Sequence, residues 1–349
     1  MNTALVLILI LGVSISIHEL GHYLAARVQG VRVPAFSIGF GPPILRFNWA
    51  GTEWRLSLIP LGGYAEIEGM APDFSVDGRP ITPKRGYAAL SFWGKTLILV
   101  GGVLMNLLLA WFLMAWTYTA SGIPQPIENR AQIVEVIPGS LAEEVGLRDN
   151  DIVIEVDGRP LEKFTDLNKI KESPGEHTVT VLRDGKKLTI RIPWDGTRDK
   201  LGVRYGPVVE YYYPSFPEAL LTAIETSLRF LPDMVSSFVK GFSGILVGKP
   251  SPDIVGPVGI VNLAGEAAHA GVMAVVQLAA LINLSLAVFN LLPIPGLDGG
   301  RLLLLVLNVI TGGRIRPEHE ALVNFIGFAF LILLMLLVTL QDVQRFFGG

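Results

Sequence analysis

The stretch that decides the fold is Met1 to Arg27, MNTALVLILILGVSISIHELGHYLAAR. Seventeen uncharged residues lead into His18-Glu19-Leu20-Gly21-His22, set inside an otherwise apolar run. A bilayer-crossing helix needs about 20 apolar residues, and Ala4 to Ala26 supplies them. The stretch lacks a basic n-region and a small-residue cleavage site, so it reads as a retained span and not a signal peptide.

On a helix, His18 and His22 project from one face about 40° apart. That spacing lets two imidazoles bind one zinc ion. Glu19 stands beside them, where the pattern makes it the general base of a zinc hydrolase and not a ligand. An intramembrane charge costs about 2.5–3.5 kcal/mol on insertion scales, so a Glu with two His inside a span implies a task. A catalytic zinc takes three protein ligands, and the chain must supply one more. His177 falls in a soluble stretch, His319 in a polar loop, and His269 in a Gly/Ala-rich stretch before a span. Asp298 lies in Asn290-Leu-Leu-Pro-Ile-Pro-Gly-Leu-Asp-Gly-Gly300. The prolines and glycines there end or distort a helix, and can turn the acid back into the bundle. The same Asp could instead cap the turn before a helix near Arg301, but with a zinc pair elsewhere in the membrane lacking its third ligand, the ligand reading wins.

The rest of the 349 residues fits a membrane setting. Half are hydrophobic and 17% are charged, against about 25% charged in soluble domains; mean hydropathy is +0.49. The formal charge of −3 leaves no nucleic-acid footprint. With no cysteine there is no disulfide, and any metal must be held by His, Asp or Glu. Further spans are expected at Thr96–Thr119, Val272–Leu292 and Leu322–Leu340, with a short helix at Arg301–Ile310. Pro217–Val247 is amphipathic and reads as an interfacial or packing helix, a fifth span being the alternative. Glu53–Ile67 reads as a bent β-hairpin broken at Pro60 and Gly62-Gly63. Between 128 and 194, strand-like runs and Asp-Gly turns mark a soluble domain. Arg27, Arg32, Arg46, Arg55, Arg79, Lys84, Arg85 and Lys95 fill one loop, and Arg301, Arg314 and Arg316 another. The positive-inside rule puts both loops in the cytoplasm.

The pairing of HELGH with NLLPIPGLDGG resembles the site-2 protease family of intramembrane zinc metalloproteases. Phe36-Ser-Ile-Gly-Phe-Gly-Pro42, Arg55-Leu-Ser-Leu-Ile-Pro-Leu-Gly-Gly-Tyr64 and Gly101-Gly-Val-Leu-Met-Asn106 are similar to that family's intervening segments. The resemblance covers nearly the whole chain. It implies one Zn2+ held by His18, His22 and Asp298, with Glu19 as catalytic acid–base. Asn106, Asn283 and Asn290 are amides within spans, which either hold neighbouring helices or handle substrate; the resemblance favours Asn290 for the latter. Leu58, Gly62 and Gly63 lie in the hairpin, whose edge could take an extended substrate by β-augmentation. Gln132-IVEVIPGSLAEEVGLRDNDIVIEVDG-Arg159 resembles a bacterial PDZ domain.

The expected architecture is a polytopic α-helical membrane protein of about four transmembrane helices. It carries a membrane-associated β-hairpin or sheet and one inserted α+β PDZ domain. Residues 1–127 hold the first two spans, 128–196 the PDZ domain, and 197–349 the amphipathic helix and later spans. The expected function is cleavage within or beside the transmembrane segment of a single-pass protein, an anti-sigma factor or remnant signal peptide, after an upstream site-1-type protease has acted. The expected place is the bacterial inner membrane, with the active site towards the cytoplasm and the PDZ domain outside. A metal-binding transporter would need ligands strung along a route, and only one cluster is visible. A non-catalytic PDZ scaffold would have no use for Glu19.

Overall fold

The computed structural model describes residues 2–70, 73–74, 80–81, 85–196, 201–246, 255–315 and 317–347. Of the loop cations, Arg79, Lys84 and Arg316 lie outside them, as does Val247 at the end of the amphipathic stretch. The chain divides into two compact units, Met1–Thr119 with Ser215–Gly349, and Ala120–Pro214.

The first unit is built from helices and one unusual sheet. Its helices are α1 (Thr3–Val28), α2 (Phe92–Ser121), α4 (Phe216–Leu246), α5 (Pro257–Ala270), α6 (Val272–Leu291), α7 (Asp298–Ile310) and α8 (Pro317–Phe347). Among the described residues four helices are long and apolar enough to cross a membrane: Thr3–Val28, Phe92–Ser121, Val272–Leu291 and Glu318–Gln344. Leu5, Leu9, Leu108, Phe112, Phe325, Ile326 and many like them stay exposed along these helices. Such continuous apolar surface is stable only against lipid or a partner. Asn2 caps α1, its side-chain oxygen accepting from the N–H groups of Ala4 and Leu5. In α4, Ala219, Ala223 and Ser227 form a buried stripe at four-residue spacing. Trp111 of α2 donates its indole N–H to Ser227 at 3.2 Å.

The sheet differs from the hairpin expected within residues 53–67. Those residues form a single strand, β2 (Thr52–Glu66), whose partner is β1 (Ala35–Trp49). The reversal occurs at Ala50 and Gly51, with φ of 51° and 78°, the double left-handed pattern of a tight hairpin turn. Pro60 and Gly62-Gly63 mark the bend where β2 folds back. Residues 35–38 consequently lie between two parts of β2: Ala35 pairs with both Glu53 and Glu66, and Ile38 with both Leu56 and Gly63. Residues 43–49 pair with the outer side of 52–57. Two chain segments thus make four ribbons, with residues 63–66 at one edge. Between the inner ribbons, the buried hydroxyls of Ser37 and Ser57 meet at 3.0 Å. Arg55 donates to the Tyr64 hydroxyl at 2.8 Å and to Glu53 at 2.6 Å, tying the folded-back segment to the base. Two short strands, β3 (Asp73–Phe74) and β4 (Pro80–Ile81), and a 3-10 helix, Gly86–Ala89, follow.

The sheet is anchored to α1 by aromatic rings. Tyr23, one residue past the HELGH run, sits 5.8 Å from Phe36 and 5.1 Å from Trp54, centroid to centroid. Val31, Val33, Ile67 and Ile98 complete that core. Ring pairs at such separations add about 0.5–1.5 kcal/mol each beyond area burial. Farther along the sheet Ile44, Leu45, Phe47, Trp49, Leu58 and Ile59 are exposed.

The second unit folds around its own core of Ile133, Val153, Val179, Val181, Ile192 and Trp194. Its strands are β5 (Ile123–Val136), β6 (Ile152–Val156), β7 (Arg159–Pro160), β8 (Gly175–Arg183), β9 (Lys186–Trp194) and β10 (Val203–Tyr212). The order is β10-β5-β6-β8-β9, with β7 also on β6. A one-turn helix, α3 (Leu141–Glu144), and a 3-10 helix, Phe164–Lys171, cover it. The long pairing of β10 with β5 carries the unit to 120 and 214, beyond the expected boundaries of 128 and 196. Sequence reading missed β10 because Val203–Tyr212 is broken by Gly206-Pro207, a combination that argues against a strand. As the last strand in the order, β10 tolerates them.

His177 of this unit is buried with both ring nitrogens facing acceptors, the Ser173 carbonyl at 2.8 Å and Asp157 at 2.8 Å. Those two contacts, the Ser173 carbonyl first, raise its pKa above the ordinary 6.5. A raised folded-state value means that the stabilisation is fully present below pH 6.5 and fades as pH climbs through the folded value. Asp157 is nearly half exposed, so salt screens part of it. The unit is expected to melt at a lower temperature at pH 8.5 than at pH 6, with the difference reduced in a His177→Gln variant. Circular dichroism on the full chain in detergent measures it; equal pH sensitivity in the variant would contradict the assignment.

Candidate metal centre

Helix α1 carries His18 and His22 one turn apart, and α7 opens with Asp298 in its first turn. The approach of α7 depends on the loop before it. Leu292–Leu297 turns with Gly296 at φ 94°, a conformation that disfavours side chains. Asn324 of α8 accepts the Gly296 N–H at 3.3 Å. A Cβ on Gly327 of α8 would fall 2.1 Å from the Pro295 carbonyl oxygen, so α8 lies directly on this loop.

The result is a tight triangle of donor atoms. His18 Nε2 is 3.2 Å from His22 Nε2, and Asp298 Oδ2 is 3.1 Å and 3.3 Å from the two. Ligands at zinc–nitrogen and zinc–oxygen distances of about 2.0–2.2 Å in a tetrahedron are separated by roughly 3.3–3.5 Å. The triangle therefore has the size of three corners of a zinc site. Asp298 Oδ2 is buried with no hydrogen-bond partner, although two ring nitrogens crowd it. A cation shared by the three atoms would satisfy all of them. Among the described residues this is the one cluster able to hold a metal.

Helix α2 shapes the site from behind. His22 Nδ1 lies 2.8 Å from the Ile98 carbonyl oxygen, so that nitrogen carries the hydrogen and Nε2 keeps its lone pair. Gly21 and Gly101 bring the two helices together: a Cβ on Gly21 would meet the Gly101 oxygen at 2.1 Å. A Cβ on Gly102 would stand 2.6 Å from His22 Nε2 and 2.7 Å from His18 Cε1. Gly102→Ala is therefore expected to displace both rings. Zinc affinity should fall at least tenfold, about the loss a disturbed ligand orientation causes, while helix content is retained. Chelator competition and circular dichroism check the two halves; unchanged affinity would refute the close approach.

Glu19 sits beside this triangle and is fixed by the sheet. Its carboxylate accepts the Ala65 N–H at 3.1 Å. Ala65 belongs to the outer ribbon 63–66, so the free edge of that ribbon faces Glu19. A cavity of about 300 Å³ joins them, lined by His18, Glu19, His22, Tyr64, Asn290 and Arg301 among others.

The sites anticipated in the sequence are distributed unevenly around this cavity. Asn290 lines it. Asn106 is buried on α2, with its amide 3.4 Å from His18. Asn283 is held elsewhere: its amide donates to Ser14 at 2.8 Å and to the Ala279 carbonyl, linking α6 to α1. Leu58 is exposed on the sheet. Gly62 packs under the Phe40 ring, and a Cβ on Gly63 would lie 3.7 Å from Glu19 and 2.7 Å from the Ser37 oxygen. Tyr64, Ala65, Met70 and Arg301 also border the cavity and were not anticipated. Arg301 had a usable signal, since it lies three residues after Asp298 and shares its helix face.

Residues 6–334 match the model of "Peptidase family M50". The chain is 29% identical to "Regulator of sigma-W protease RasP" of Bacillus subtilis, over 99% of each protein. It is also 29% identical to "Zinc metalloprotease RasP" of Bacillus licheniformis, over 99% of this chain and all of that one.

Proposed function

The chain belongs to peptidase family M50, and from that premise we propose that His18, His22 and Asp298 hold its zinc while Glu19 moves the protons of peptide hydrolysis. The protein is a multi-pass membrane zinc metalloprotease of the site-2 type, acting in regulated intramembrane proteolysis. The observation that carries the residue assignment is the triangle of donor atoms at 3.1–3.3 Å, with Glu19 beside it. When bound, zinc supplies Lewis acidity to the scissile carbonyl and to the attacking water. Glu19 accepts the proton of that water and returns it to the departing amine. Ala65 holds the Glu19 carboxylate towards the cavity through its N–H. Asn290 lines the cavity, which supports a role in hydrogen-bonding the substrate backbone.

A transmembrane helix shields its own peptide bonds, because each is hydrogen-bonded within the segment. Cleavage needs a locally extended chain. The outer ribbon 63–66 offers a free edge that such a chain can join, and the edge runs past Glu19. This supports single-pass membrane proteins as substrates, anti-sigma factors and remnant signal peptides being the classes considered, shortened first by a site-1-type protease. The sheet order and Pro138-Gly139-Ser140 turn of unit 120–214 support a PDZ domain that handles the substrate's outer end. Four spans and the cationic loops support a zinc site on the cytoplasmic side with that domain outside.

The test is a comparison of membrane-protein fragments by mass spectrometry, from cells with the wild-type chain or with His22→Ala. Fragments cut within or beside single spans are expected with the wild type alone. Identical fragment sets in both would remove the assignment.

A further inference from the structure

Asn106 is fully buried on α2, and its role follows from its hydrogen bonds. Its Nδ2 is 3.4 Å from His18 Nδ1, while its Oδ1 is buried with no partner. For His18 to offer Nε2 to a metal, the neutral ring must carry its hydrogen on Nδ1. That arrangement sets a donor against a donor and orphans an acceptor. Amide oxygen and nitrogen exchange places on a half-turn of the terminal torsion, and the hydrogen-bond network decides between them. The half-turn brings Oδ1 to the His18 N–H and removes the clash.

We infer that Asn106 is a positioning residue, accepting the Nδ1–H of His18 and so aiming its Nε2 at the zinc. The inference rests on the zinc assignment above. The second ring shows the same device with a different acceptor, His22 Nδ1 donating to the Ile98 carbonyl at 2.8 Å. Residues 98, 102 and 106 are spaced by four and form one stripe along α2. The stripe offers a carbonyl acceptor, then the bare backbone of Gly102 against both rings, then an amide acceptor. One face of α2 thus fixes the tautomer and tilt of both histidines. Asn106 then faces the back of His18 and does not touch substrate, and the amide left for the cavity is Asn290.

The experiment measures zinc affinity by chelator competition, and ligand geometry by visible absorption after Co2+ substitution, on the full chain in detergent. Asn106→Leu keeps the volume and removes the acceptor; affinity is expected to fall about 10–100-fold, the usual cost of losing an outer partner of a ligating histidine. The Co2+ bands should shift as well. Asn106→Asp keeps an acceptor and is expected to hold near wild-type affinity and bands. Should leucine prevent folding, Asn106→Ala replaces it in the same comparison. Wild-type affinity and bands in Asn106→Leu would overturn the inference, and so would an Asn106→Asp variant as impaired as Asn106→Leu. His18→Ala and His22→Ala run alongside. Zinc binding unaffected by those two refutes the metal assignment itself, whereas its loss there with a normal Asn106→Leu refutes this inference alone.

Discussion

Glu19→Gln is expected to abolish cleavage while leaving the metal in place. Glutamine has the same length and keeps an oxygen that can accept the Ala65 N–H, now at 3.1 Å from the carboxylate. It adds no bulk beside His18 or His22, and neither ligand atom changes. What it loses is the ability to take up and return a proton. Positioned acid–base groups contribute about 10²–10⁴-fold to rate, so turnover of a membrane substrate should fall by that order. Zinc affinity should stay within a few fold of wild type. Parallel measurement of zinc content and fragment yield tests both statements. Cleavage within tenfold of wild type would mean that another group moves the proton.

Asp298→Ala is expected to give the opposite pattern, an enzyme that is inactive because it is empty. Asp298 supplies the acidic corner of the triangle, and its Oδ2 is buried beside both imidazoles. Without it, two neutral nitrogens remain, and a third corner is open. Disturbing an outer partner of a ligand already costs 10–100-fold; removing the ligand itself should exceed about 100-fold in affinity. Activity should follow occupancy and recover in part at high zinc concentration, which Glu19→Gln would not. Wild-type zinc content in Asp298→Ala would show that the carboxylate serves as a helix cap and that the third ligand lies elsewhere.

The contrast between these residues explains what the amino-acid sequence revealed. His18, Glu19 and His22 are legible because a helix fixes their relation locally, and because charged groups inside an apolar run demand a reason. The four spans are legible for the same cause, since hydrocarbon imposes length and composition together. Asp298 was reached only indirectly, as the acid best able to complete a zinc pair that lacked a third ligand, because its proximity to α1 is produced by a Pro-Gly loop and by α8, neither of which is readable as a distance. The sheet was misread in a more instructive way. Pro60 and Gly62-Gly63 carry strong turn chemistry, yet the reversal lies at Ala50-Gly51. Pro60 and the two glycines instead bend a single strand so that it lines both sides of its partner. Alternation of side chains gives strand identity but not the register that folds two strands into four ribbons. The stripe 98, 102, 106 was invisible for a further reason: a backbone carbonyl has no letter.

The seating of Gly296 and Pro295 on α8 bears on the timing of biosynthesis. The ribosome delivers His18, Glu19 and His22 to the membrane first, with α1, and Asp298 near the end. Asn324 and Gly327, which pack against the loop that presents Asp298, come later still. A nascent chain halted just before α8 carries Glu19 and all three donor residues but lacks the Asn324 and Gly327 contacts that seat the loop before Asp298. On the zinc assignment proposed above, full zinc affinity is therefore expected only once the last helix has packed.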